Sequence, residues 1–153
     1  MATHEHHHLE ASWAMALSAT LHCLTGCAIG EVLGMIIGSA LGWTTGATVA
    51  LSIALAFLFG YSLTSLPLLR SGMALAAVVP IALATDTVSI AIMEIVDNAI
   101  IVAIPGAMEA GLDELGFYAA LTAALIIAGA AALPVNRWLI ARGKGHAVIH
   151  RYH

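Results

Sequence analysis

Two stretches of otherwise apolar sequence hold the side chains able to do chemistry. The first reads His22-Cys23-Leu24-Thr25-Gly26-Cys27-Ala28-Ile29-Gly30-Glu31, an imidazole, two thiols and a carboxylate along one continuous run. The second carries Asp86, Met93, Glu94, Asp97 and Asn98. Placing a carboxylate at membrane depth costs at least ~2.5 kcal/mol on insertion scales. Such groups therefore face a polar interior and are paired, protonated or coordinated. Thiolate, imidazole and thioether suit Cu(I) or another soft ion, whereas carboxylates suit a harder cation or a proton. The expected chemistry is cation binding. The expected metal-ligand set is His22, Cys23, Cys27, Glu31, Asp86, Met93, Glu94 and Asp97, joined by His146 and His150 of the tail HAVIHRYH, one turn apart if helical.

Helical geometry groups these residues. At roughly 100° per residue, Cys23, Cys27 and Glu31 form an i, i+4, i+8 stripe, and His22 lies on its flank. Close to that stripe runs a groove of missing side chains, Gly26, Gly30, Gly34, Gly38 and Gly42, a small-residue repeat that lets another helix approach. On the second polar stretch Asp86, Ile90, Met93 and Asp97 share a narrow face, with Glu94 roughly 60° from Asp97. Counted at 1.5 Å per residue from starts on one side, Cys23 and Asp86 fall at a common depth of roughly 20 Å. Glu31 and the Glu94/Asp97 pair fall roughly 10 to 15 Å further along. The spacing predicts two levels, one of thiol and carboxyl and one of acids alone.

The elements that must position these groups are transmembrane helices. The 153 residues are 61% hydrophobic and 9% charged, with a mean hydropathy of +0.97, too little polar surface to coat a water-soluble globule. A net charge of -4 from five Lys/Arg and nine Asp/Glu suggests no nucleic-acid partner. The start MATHEHHHLEAS lacks a basic n-region, so the first apolar segment is expected to stay on the chain. Apolar segments run over residues 11–43, 47–66, 73–104 and 116–133, the last continuing towards residue 140. The fold expected is all-α, an integral membrane four-helix bundle that forms homo-oligomers. Its parts are a His-rich segment at 1–10, a transmembrane domain at 11–140 and a basic, His-bearing tail at 141–153. Arg70, Arg137, Arg142, Lys144 and Arg151 all fall on the side of the termini, whereas the third-to-fourth loop has Glu109, Asp113 and Glu114. The positive-inside rule then makes both termini cytoplasmic, in a bacterial inner membrane. Trp43, Phe117 and Trp138 are expected at the interfaces.

The blocks HCLTGCAIGEVLG, MEIVDN, IPGAM and PVNRWLIARGKGHAVIHRYH, in this order over nearly the whole chain, together resemble a bacterial membrane family known as domain of unknown function 4396. The resemblance implies four helices and no established activity. It singles out His22, Cys23, Cys27, Glu31, Asp97, Asn98, Asn136, Arg137, His146, His150 and His153. His22-Cys23 with Cys27 is also loosely similar to the His-Cys and Cys elements of copper-related membrane maturation proteins, which tilts the metal towards copper.

The leading expectation is therefore a non-enzymatic protein that binds and translocates a metal ion, copper or another soft cation, along the first and third helices. Each feature also has a plainer reading. The glycines can serve packing alone, the cysteines can be small packing residues, and the acids can hydrogen-bond Asn98, Thr85, Thr87, Asn136 or Arg137. These plainer readings together describe an accessory or assembly subunit of a larger membrane complex, docked through the glycine face. A thiol redox enzyme ranks last, since no flavin, haem or nicotinamide fingerprint and no nucleophile triad accompanies the cysteines.

Overall fold

The computed structural model describes residues 2–107 and 111–141, with side chains from residue 13 onward. The N-terminal histidine cluster and the tail with His146 and His150 lie outside the described side chains. Four helices follow in order: α1 (Ala2–Ala40), α2 (Thr45–Arg70), α3 (Leu75–Ala103) and α4 (Leu115–Ala141). All four contain stretches long and apolar enough to cross a membrane, beginning at Trp13 in α1. This fits a membrane protein and agrees with the four segments expected from the sequence.

Two turns are built alike. After α1, Gly42 takes φ 65°, Trp43 N–H donates to Gly38 O at 2.9 Å and Gly42 N–H to Ser39 O at 3.2 Å. After α2, Gly72 takes φ 91°, with Met73 N–H donating to Leu68 O at 3.3 Å and Gly72 N–H to Leu69 O at 3.0 Å. Both are glycine-terminated helix ends in which the left-handed residue lets the chain satisfy the last carbonyls. Thr44 then caps α2 by accepting from Ala47 N–H at 3.4 Å.

The second apolar segment ends at residue 66 in the sequence, but α2 continues through Pro67 to Arg70, and α4 likewise runs through Pro134. Each proline lies near the end of its helix, where losing one backbone hydrogen bond disrupts little of the ladder. The two sites read Leu66-Pro67-Leu68-Leu69-Arg70 and Leu133-Pro134-Val135-Asn136-Arg137. Both thus share the pattern Leu-Pro followed by Arg three residues after the proline.

The glycine groove is filled from within the chain. Gly26, Gly30, Gly34 and Gly38 of α1 lie against Gly60, Ala56, Ser52 and Thr48 of α2, in antiparallel register. A Cβ on Gly26 would sit 2.7 Å from the Cα and N of Gly60, so the two backbones touch where both lack side chains. Helix α2 contributes its own four-residue stripe, and Ser52, Ala56, Gly60, Thr64 and Leu68 are all buried. The glycine face is thus not free to dock a larger partner, as the accessory-subunit reading required. With α2 on that face, α1 also packs against α3 and α4, and its thiol and carboxyl stripe turns into the interior.

Candidate functional site

The polar residues of α1 and α3 meet inside the bundle. Cys23 and Cys27 are each 1% exposed, Glu31 is 5%, Asp86 0%, Met93 0%, Glu94 4% and Asp97 1%. Lipid offers no hydrogen-bond partner, so helices rotate to place such groups against one another. The narrow α3 face expected from the spacing is wholly buried, and Glu94 is buried beside it.

At the inner level, Cys23 Sγ lies 3.9 Å from Oδ1 of Asp86, across the α1–α3 contact. Thr85 Oγ1 donates to the same oxygen at 3.1 Å. The side chains of Thr64, from α2, and His22 also lie close to Asp86, and Ser89 approaches Cys23. His22 lies on the flank of the stripe, one residue before Cys23. Thr64 and Ser89 escaped the sequence reading because isolated hydroxyls are common in membrane helices. Their signal was register: Thr64 continues the small-residue stripe of α2, and Ser89 lies one turn beyond Asp86.

Between the levels lie the soft donors. Cys23, Cys27 and Met93 belong to one packed cluster with Ile90, Ala56, Ala128 and Ala132. Both cysteines are free thiols. Cys27 also approaches the Glu94 carboxyl, linking this layer to the acids above it.

At the outer level, the carboxyl groups of Glu31 and Asp97 lie close to each other. Neither carboxyl receives an N–H or O–H donor from the described residues. Asn98 Nδ2 instead donates to the backbone oxygen of Glu94 at 2.8 Å and reaches its Oε2 at 3.5 Å. Ser52 donates to the backbone oxygen of Glu31 at 3.4 Å, leaving that side chain directed elsewhere. Above the pair opens a vestibule of about 180 Å³ with Glu31 and Asp97 in its lining, together with Ser39, Thr48, Asn98 and Phe117. Its upper wall includes Trp43 from the α1–α2 turn, Thr45 at the start of α2, and Gly111 and Leu112 from the α3–α4 connection. No Lys, Arg or His is among the described residues that line it.

The fourth helix does not supply a partner for the acids. Asn136 Nδ2 donates to Thr20 Oγ1 at 2.8 Å, and the Arg137 guanidinium stacks 4.0 Å over the Trp13 ring. Both contacts hold α4 to α1 nearer the end where α4 finishes. Thr87 is turned outward to Tyr61, with 2.8 Å between the hydroxyls, so it too is separate from the acids. Phe117, expected at an interface, is 2% exposed and forms vestibule wall, whereas Trp43 and Trp138 are about half exposed.

Among the described residues no three His, Cys, Asp or Glu side chains converge as a preformed metal cage. The arrangement is a file of sites, with a carboxyl pair under the vestibule, then Glu94 and Cys27, then Cys23 and Asp86. The thioether of Met93 lies beyond the donor types of an acid, thiol and imidazole cage, and it adds a third soft atom to the middle of the file.

A family model described as Domain of unknown function (DUF4396) matches residues 12–145. Comparison with curated proteins and with solved structures finds no match.

Proposed function

We propose that this chain, which belongs to the DUF4396 family over residues 12–145, binds a metal ion inside the bilayer and carries it across, with copper or another soft cation as the ion. The observation that carries this reading is the co-burial of Cys23, Cys27 and Met93 in one cluster, bounded by carboxyls on both sides. Buried charge-capable groups at membrane depth lie on ion pathways when they face a bundle interior. Here the vestibule offers carboxyls first and sulfur afterwards. An ion would shed water at Glu31 and Asp97, pass Glu94, and reach the thiols and thioether that favour Cu(I) over harder ions.

The carboxyl pair supports the same direction of reasoning. With no basic side chain among the described lining residues, neutralisation of Glu31 and Asp97 must come from a proton or from an incoming cation. The low coordination number at each position suits Cu(I), which accepts few ligands, better than Mg or Ca, which demand many oxygens.

The positive-inside rule places both termini in the cytoplasm of a bacterial cell, so in this reading the vestibule faces outward. A second copy of the chain, or a larger membrane complex, belongs to the proposal because four spans enclose only a narrow path. Such a copy would pack through a face other than the glycines, which α2 already covers.

The test is metal retention. Protein purified in mild detergent, loaded with Cu(I) and washed, is compared by elemental analysis with Cys23→Ser/Cys27→Ser and Asp97→Asn variants. The proposal expects the thiol variant to lose bound copper and the Asp97 variant to load more slowly. Equal metal in all three contradicts it.

A further inference from the structure

A second opening reaches the acids from the side. A groove of about 440 Å³ runs between α2 and α3 on the outer surface of the bundle, walled by Ile53 and Phe57 on one helix and Ala91 and Ile95 on the other. Both walls lie within stretches apolar enough to span the membrane, so hydrocarbon is the medium it opens to. Ile95 is 70% exposed at its rim. Its volume falls within the few hundred to about 1,000 Å³ usual for small-molecule sites.

The groove is apolar except at two residues, Glu94 and Asn98. Glu94 is buried, with the weakly donating Cys27 thiol near its carboxyl, and no N–H or O–H of the described residues reaches its Oε1. Asn98 spends its amide on Glu94 itself, at the backbone oxygen and at Oε2. No Lys, Arg or His lines the groove among the described residues, and Glu31 and Asp97 add acidic character behind Glu94. A lipid tail would satisfy the walls and leave this carboxyl oxygen without a donor, which is costly in a medium that supplies none.

We infer that this groove is a lateral binding site for a cationic amphiphile dissolved in the bilayer, a molecule with one apolar body and a protonated amine that meets Glu94. The walls take the apolar body and the carboxyl takes the head, a division of labour common to concave ligand sites. Glu94 stands about 14 Å from the Ala103 end of α3 at 1.5 Å per residue, so the ligand reaches it through the outer half of the membrane. The acid cluster then has two approaches, an aqueous one to Glu31 and Asp97 and a hydrocarbon one to Glu94. This inference goes beyond metal binding and does not depend on it.

The experiment uses the full chain in its membrane. Dicyclohexylcarbodiimide, a lipid-soluble carboxyl reagent, is applied with and without dodecylammonium or dodecanol, and modified peptides are read by mass spectrometry. The expected result is modification at Glu94, lost in the presence of dodecylammonium and retained in the same concentration of dodecanol. An Ala91→Trp variant, which fills the groove, is expected to lose Glu94 modification while a water-soluble carbodiimide still modifies Glu31 or Asp97. Absence of wild-type Glu94 modification, or equal protection by the alcohol and the amine, overturns the site.

Discussion

The sulfur of Cys23 lies 3.9 Å from a carboxylate oxygen of Asp86, although 63 residues separate them in the chain. Glu31 and Glu94 stand at the same separation, so each hairpin begins with a helix bearing polar groups at corresponding depths. The contact therefore joins α1 and α3 at a common depth, each helix carrying a glutamate eight residues further along. Because Asp86 accepts from both Thr85 and Cys23, it is the hub of the inner level. Asp86→Ala leaves the buried Cys23 thiol without its acceptor, while Thr85 keeps its bond to Ala82 O at 3.2 Å, and is expected to destabilise the protein by about 1 kcal/mol. Asp86→Asn keeps an acceptor oxygen and should cost less. Thermal unfolding in detergent compares them.

The glycine contact sets the frame on which that hub depends. Any side chain at Gly30 meets the backbone of Ala56, which cannot yield as a flexible side chain would. Gly30→Leu should cost at least the ~1 to 3 kcal/mol typical of overpacking, and should separate α1 from α2. Gly46→Ala is the control, because a Cβ there meets nothing within 4 Å. Denaturant midpoints for the two variants should differ widely, and similar midpoints would contradict the close approach.

The hydrogen bond between Asn136 and Thr20 ties α4 to α1. Bonds of this kind within membranes average about 0.6 kcal/mol and reach about 1.7 kcal/mol in double-mutant cycles. A cycle of Thr20→Ala and Asn136→Ala should return a favourable coupling in that range. Strict additivity of the two single variants would show that the bond contributes nothing to holding the helices together.

Glu31 and Asp97 are buried carboxyls whose oxygens receive no hydrogen bond from the described residues. Two facing carboxyls without a donor among the described residues are worse for the fold than one carboxyl facing an amide. Asp97→Asn supplies an N–H donor beside Glu31 and should therefore raise thermal stability by about 1 kcal/mol, the usual net contribution of one hydrogen bond. The same variant should retain less metal from dilute solution. Loss of stability together with unchanged metal retention would assign the pair a purely structural role.

The helices and their inward faces were legible because their causes are local. Twenty or so apolar residues announce a span, and the spacing of Asp86, Met93 and Asp97 already specified one side of a helix, all of it now buried. The pairing of Cys23 with Asp86 could be foreseen because both depth and face follow from counting residues. What the spacing could not reveal was which neighbour fills a face. The glycines of α1 are matched by the small residues of α2, and this match requires both helices to be aligned before it is visible. Asn136 and Arg137 were legible as polar residues in an apolar helix but not as partners of Thr20 and Trp13, since rotation of α4 is set by packing. The lateral groove was hidden for the same reason: its walls are ordinary apolar residues on two helices.

The most direct measurement is X-ray absorption at the metal edge of Cu(I)-loaded protein, beside the Cys23→Ser/Cys27→Ser variant. An ion held by the buried thiols and Met93 predicts sulfur neighbours in the wild type and their loss in the variant. A metal surrounded only by oxygen and nitrogen, or a spectrum unchanged by removing both thiols, would contradict the proposed soft-cation path.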